Sequence, residues 1–126
     1  MKKIMVLLLS FTLLFTLAAC SKEYTNIDNE ELKTMLETPG DYQFVDVRTK
    51  EEYDTSHVPG FNIQVDYYIF KNDYSLLSGL DKDIPVIIMC NSGNRSVSAA
   101  KIFLDEGFEV VYNLTDGIQG WDGPTE

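Results

Sequence analysis

Residues 90–96 read CNSGNRS and follow the apolar run PVIIM. Three residue types in this stretch suit nucleophilic chemistry on an anion. Cys90 offers a sulfur whose thiolate, not its thiol, is the attacking form. Gly93 permits a positive φ, so the amides of Asn91, Ser92, Gly93, Asn94, Arg95 and Ser96 can point inward as an anion-binding nest. Arg95 adds a fixed charge on a planar donor fork. A plainer reading makes Cys90 a small core residue and NSGNR an ordinary polar turn. The flanking pattern, a strand before and a helix after, favours the functional reading: the N-terminus of a helix brings unpaired N–H groups and partial positive charge to the sulfur.

These residues need a scaffold, and the rest of the sequence supplies one. DNEELKTMLET predicts an amphipathic helix capped by Asp28 with Glu31 three residues on, its apolar face formed by Leu32, Met35 and Leu36, stopped at Pro39-Gly40. YQFVDV reads as a short strand, TKEEYDTS as one or two helical turns, and residues 62–65 as a second strand. Residues 67–80 are ambiguous and read as mostly helical. Val86–Met89, preceded by Pro85, has the continuous apolar character of a strand buried on both faces of a parallel sheet. SVSAAKIFLDEGF predicts a helix ending at Gly107, residues 109–113 a further strand, and residues 117–121 a closing turn or short helix. Alternating strands and helices predict an α/β fold: three layers, with a small, mainly parallel sheet flanked by helices and right-handed crossovers. Ligands in such sheets sit at the carboxyl ends of strands, where Cys90 falls.

Three stretches, FVDVRTKEEYDTSHVPGFNI, VIIMCNSGNRSVSAAKIFLDEGF and VYNLTDGIQGW, resemble in order the motifs of the rhodanese family of sulfurtransferases, over roughly residues 27–121. The resemblance implies that Cys90 is a nucleophile that accepts a sulfane sulfur from a small anionic donor such as thiosulfate, becomes a persulfide, and passes the outer sulfur to cyanide or a thiol. It implies that residues 91–96 bind the donor and persulfide through their amides, that Arg95 assists, and that no metal or organic cofactor takes part. Asp46 and Arg48 match the family's Asp-x-Arg element, with Arg48 expected to be structural and paired with a carboxylate such as Glu52. His57 matches a His-x-Pro-Gly position and is expected to hydrogen-bond structurally rather than act as a base. Trp121 is expected to pack in the core, and the aromatic residues of 67–74 either to pack or to line the pocket mouth. Ser56, Phe61 and Asp116 depart from the family pattern. Four residues separate Cys90 from Arg95, against five in protein tyrosine phosphatases and in the related cell-cycle phosphatases and arsenate reductases; the shorter loop favours sulfur transfer. The alternative function is a non-catalytic binding or redox-sensing module, which would more often lack the cysteine.

The ends of the 126-residue chain bound where this chemistry would occur. MKKIMVLLLSFTLLFTLAAC has a basic start, an apolar run and small residues, the layout of a secretory signal. Leu17-Ala18-Ala19-Cys20 resembles a bacterial lipobox, which implies removal of residues 1–19, lipid on Cys20, a tether over 20–27 and a folded domain over 28–126. Localisation would be extracytoplasmic, at the cell membrane, because each buried acyl methylene contributes roughly 0.8 kcal/mol. Cys90 would then be the remaining thiol, which excludes an intrachain disulfide. The chain's formal charge is −10, and loss of Lys2 and Lys3 with the signal would leave −12. Such a surface argues against nucleic acid as a partner.

Overall fold

The computed structural model describes residues 22–126. The expected signal segment and the lipid-attachment residue Cys20 lie outside the described residues. A five-stranded sheet is built from β1 (Thr25–Ile27), β2 (Gln43–Asp46), β3 (Ile63–Gln64), β4 (Val86–Met89) and β5 (Val111–Leu114) in the order β1-β5-β4-β2-β3. All its pairings are parallel. Helices α1 (Asn29–Leu36), α2 (Lys50–Thr55), α3 (Tyr67–Phe70) and α4 (Asn94–Asp105) cover it, giving the expected three-layer α/β arrangement.

β4 lies in the middle of the sheet, hydrogen-bonded to β2 on one side and β5 on the other, and all four of its residues are buried. Its side chains alternate between two cores, as the period of a strand requires. Val86, Ile88 and Cys90 face a core with Val45, Val47, Ala99, Ala100 and Phe103 under α4. Ile87 and Met89 face the other core, with Leu32 of α1, Phe44 and Phe61. Burial of each large apolar side chain contributes roughly 1.5–3 kcal/mol, so both faces of β4 fix the height at which Cys90 leaves the sheet. Phe61 stacks edge-on against Phe44 at 5.4 Å and is fully buried. Its departure from the family pattern therefore fills the second core.

Several expected boundaries shift. The segment read as a tether contains β1, whose Thr25, Asn26 and Ile27 pair with Tyr112, Asn113 and Leu114. The sheet thus begins ahead of residue 28, because three residues are too few to show a period but enough to extend an existing edge. Residues 67–80 form α3 and a separate 3₁₀ turn at Tyr74–Leu77, divided where Asp73 caps the second element through Ser75 N. The strand expected at 62–65 is confined to Ile63–Gln64, and that at 109–113 is displaced to Val111–Leu114. α1 is capped as expected, Asp28 Oδ1 accepting from Glu31 N at 2.8 Å. No helix among the described residues is long and apolar enough to cross a membrane.

Candidate active site

Cys90 follows the last residue of β4 and is 1% exposed. Its Sγ accepts a hydrogen bond from Gly93 N at 3.0 Å and lies 3.3 Å from Ser96 Oγ. Gly93 caps α4 with φ 95°, and a Cβ there would stand 2.1 Å from the Thr115 carbonyl oxygen. Both the left-handed backbone and the lack of space therefore demand glycine. The loop is held from below as well: the carbonyls of Cys90 and Asn91 accept from Ile118 N at 2.9 Å and Gln119 N at 3.0 Å. Gly117 makes this approach possible, since a Cβ there would lie 2.5 Å from the Cys90 oxygen. With those carbonyls turned back toward the β5 end, the first-turn amides of α4 have no intrahelical partner and remain donors beside the sulfur.

The proposed loop residues thus divide. Gly93 and Ser96 are buried against the sulfur, Asn91 and Arg95 are half-buried, and Ser92 and Asn94 are exposed, with Asn94 Nδ2 donating to Ser92 Oγ at 3.4 Å. The Ser96 hydroxyl, Gly117 and Ile118 were not singled out from sequence for these contacts. Gly117 followed by an apolar residue after a strand is the only signal that could have marked them.

Arg95 does not point free into the loop. Its NH1 and NH2 donate to Glu52 Oε1 and Oε2 at 2.6 and 2.8 Å, a bidentate pair with side-chain exposures of 16% and 32%. The guanidinium also sits 5.3 Å over the ring of Tyr68. The Arg95 hydrogen bonds hold Glu52 at about 2, well below the usual carboxylate value, against the opposing effect of burial. The same pair raises Arg95 further above its ordinary range, with Tyr68 and Cys90 adding smaller contributions. Glu52 is placed by local chemistry at the start of α2. Thr49 and Glu52 form a reciprocal capping box, Glu52 N donating to Thr49 Oγ1 at 3.2 Å and Thr49 N to Glu52 Oε1 at 3.3 Å.

The expected pairing of Arg48 with the Glu52 carboxylate is therefore corrected. Arg48 folds back onto Asp46, two residues earlier on the same side of the extended chain. NH2 donates to Oδ2 at 2.7 Å and Nε to Oδ1 at 3.0 Å. Arg48 NH2 also reaches the Ser56 carbonyl at 2.7 Å, which ties β2 to the end of α2. Asp46 and Arg48 are 0% and 4% exposed, a structural position as expected. His57 stacks on Tyr53 at 4.0 Å, its Nδ1 3.1 Å from the Tyr53 carbonyl and its Nε2 3.3 Å from Glu126 Oε1. These contacts agree with a structural role. Trp121 packs against the α1-side core and donates from Nε1 to the Pro124 carbonyl at 2.9 Å. Of the aromatic residues in 67–74, Phe70 is buried and Tyr68 is exposed beside Arg95. A shallow groove of about 530 Å³ runs past the loop between Glu52, Ser56, Asn91 and Ile118.

A buried sulfur with a backbone donor, a hydroxyl at hydrogen-bond distance and a helix N-terminus can form a covalent bond to a small electrophile and hold the product as an anion. The chain is 31% identical over 100 residues to the Bacillus subtilis protein described as "Putative sulfur carrier protein YrkF", covering 79% of this chain and 52% of that one. It thus spans about half of that relative. It is 30% identical over 101 residues to the thiosulfate sulfurtransferase GlpE of Pseudomonas paraeruginosa, covering 80% of this chain and 86% of that one. The crystal structure of a rhodanese-like domain protein from Staphylococcus aureus superposes with a TM-score of 0.68 at 28% identity, covering 81% of this chain and 96% of that one. Residues 28–123 match the Rhodanese-like domain family, and with β4, the Cys90 loop and α4 arranged as described, the chain belongs to that family.

Proposed function

We propose that the protein is a sulfurtransferase that carries a sulfane sulfur on Cys90. The observation that carries this reading is the hydrogen bond from Gly93 N to Cys90 Sγ at the start of α4. In the first half-reaction the Cys90 thiolate attacks the outer sulfur of a donor such as thiosulfate; an S–S bond forms to Cys90, the donor's S–S bond breaks, and sulfite leaves with the electron pair. In the second, cyanide or a thiolate attacks the outer sulfur of the persulfide. Thiocyanate or a new persulfide departs, and the electron pair returns to Cys90 as thiolate. The amides of residues 91–96 stabilise the negative charge on the outer sulfur, as an oxyanion hole does for oxygen. The likeness to a thiosulfate sulfurtransferase supports the reaction class.

Intact mass of the purified domain after excess thiosulfate tests it. A gain of one sulfur atom, reversed by reductant and absent in Cys90→Ser, is the expected result. Sulfenate or mixed disulfide without persulfide would instead assign the thiol to redox sensing. We further propose that Cys20 carries lipid and tethers the domain outside the cytoplasm, supported by the Leu17-Ala18-Ala19-Cys20 sequence behind the apolar segment. Metabolic labelling with a palmitate analogue, lost in Cys20→Ala, is the corresponding test.

A further inference from the structure

Any small anion that approaches Cys90 meets the charge of the Arg95–Glu52 pair. Arg95 is the guanidinium carried on the Cys90 loop itself, and a free guanidinium there would add a full positive charge for a dianion such as thiosulfate. Both its terminal nitrogens are instead committed to both oxygens of Glu52, and its face rests on Tyr68. The pair is net neutral, and the surrounding chain carries a formal −10. What remains for binding is the dipolar field of the loop amides, which still attracts an anion but gives a dianion less than an unpaired guanidinium would add.

Given the sulfurtransferase reading above, on which this rests, we propose that Glu52 sets the charge class of the sulfur donor. By neutralising Arg95 it withdraws from dianionic thiosulfate an attraction that a protonated organic persulfide, R–S–SH, does not need, and so shifts the donor preference toward the persulfide. The transfer balances without a further reactant. Cys90 thiolate attacks the terminal sulfur of R–S–SH, the new S–S bond forms as the donor's breaks, and R–S⁻ leaves with the electron pair, the proton remaining on the transferred sulfur until solvent takes it. Glu52 makes no hydrogen bond to Cys90 and acts on the charge at the sulfur through Arg95, so it is a positioning residue.

Glu52→Gln removes the compensating charge with the smallest change of shape. A glutamine can keep the capping box with Thr49 and accept from Arg95 NH1 through its one carbonyl oxygen, but its amide NH2 cannot accept from Arg95 NH2, so one of the two bonds is lost and the guanidinium charge is left uncompensated. The donors are thiosulfate and the persulfide of 2-mercaptoethanol, read as the initial rate of Cys90 persulfide formation. For Glu52→Gln, KM for thiosulfate is expected to fall about three- to tenfold with kcat little changed, a range set by one charge acting through a partly solvated site. The organic persulfide should stay within about twofold of wild type on the same grounds. Arg95→Gln should raise KM for thiosulfate, and the double variant should return it toward wild type. In the unaltered protein, added salt should raise kcat/KM for thiosulfate, by screening the acidic surface, and leave the organic persulfide unaffected. This arm needs no variant to fold. Equal changes for both donors in Glu52→Gln, or a fall in thiosulfate kcat/KM with salt in wild type, would overturn the role of Glu52 while leaving sulfur transfer intact. Absence of Cys90-dependent persulfide with both donors would overturn both.

Discussion

Two arginine–carboxylate pairs flank α2, and they differ in what surrounds them. Asp46–Arg48 is at most 4% exposed, and Arg48 adds a bond to the Ser56 carbonyl. Glu52–Arg95 joins α2 to the first turn of α4, with 32% of the Glu52 and 16% of the Arg95 side chain exposed. The first pair is sealed into the junction of β2 and α2, so its charges can act only on each other and on fixed backbone dipoles. The second is open on one side and lies beside the sulfur, so its charge balance reaches a ligand. Burial decides which arginine is structural and which is available to chemistry; residue type and hydrogen-bond length are nearly the same in both.

The largest expected effect breaks the sealed pair. Asp46→Ala leaves Arg48 charged and buried without its partner and should cost about 3–5 kcal/mol of stability, measured by urea unfolding. Glu52→Gln should lose no more than about 1–2 kcal/mol, because the partly exposed Arg95 left behind remains open to water. A comparable loss in both would erase the distinction. Next is the loop that carries the second pair. Gly93→Ala, strained at φ 95° and pressed on the Thr115 carbonyl, should lose about 1–3 kcal/mol and sulfur transfer together. Retained activity would mean that the ion pair alone positions Arg95.

Acid sharpens the contrast more gently. Glu52 is depressed from an ordinary 4.5 to about 2 on folding. A depressed carboxylate contributes stability that is full above the unfolded value and is lost as pH falls through the folded one. Stability should therefore decline between pH 4.5 and about 2 by an amount that solvent screening limits to roughly 1–2 kcal/mol. That component should vanish in Glu52→Gln; an unchanged acid profile would show that Arg95 contributes nothing to folding. The smallest effect is expected for the exposed Lys50–Asp54 pair on α2. Asp54→Asn should be indistinguishable from wild type by thermal unfolding, since such pairs gain little over their hydrated ions.

Much of this was legible in the sequence because local chemistry determines it. The apolar run ending at Cys90, the glycine three residues later and the helical period that follows place the sulfur at a helix N-terminus before any tertiary contact is considered. The partner of Arg95 was not legible in that way. Glu52 lies four residues from Arg48 and 43 from Arg95, and sequence proximity suggested the wrong arginine. Only the height of α2 over the carboxyl ends of the strands brings its first turn against α4. Thr49-x-x-Glu52 could have fixed the carboxylate at a helix start, but not the direction in which it points. β1 was missed for a similar reason: Thr25–Ile27 has no pattern of its own and becomes a strand because β5 offers an unpaired edge.

That edge strand has a consequence for orientation. β1 runs parallel to β4, with Thr25 opposite Tyr112, the residue that also faces Ile87, while Cys90 lies beyond Met89 at the far end. The polypeptide therefore enters the domain at the pole opposite the sulfur. Under the proposed attachment at Cys20, the few residues before Thr25 reach at most about 18 Å, enough to keep that pole near the bilayer. The reactive pole then faces outward, so a donor or acceptor would be met from the surrounding solution and not from the membrane plane.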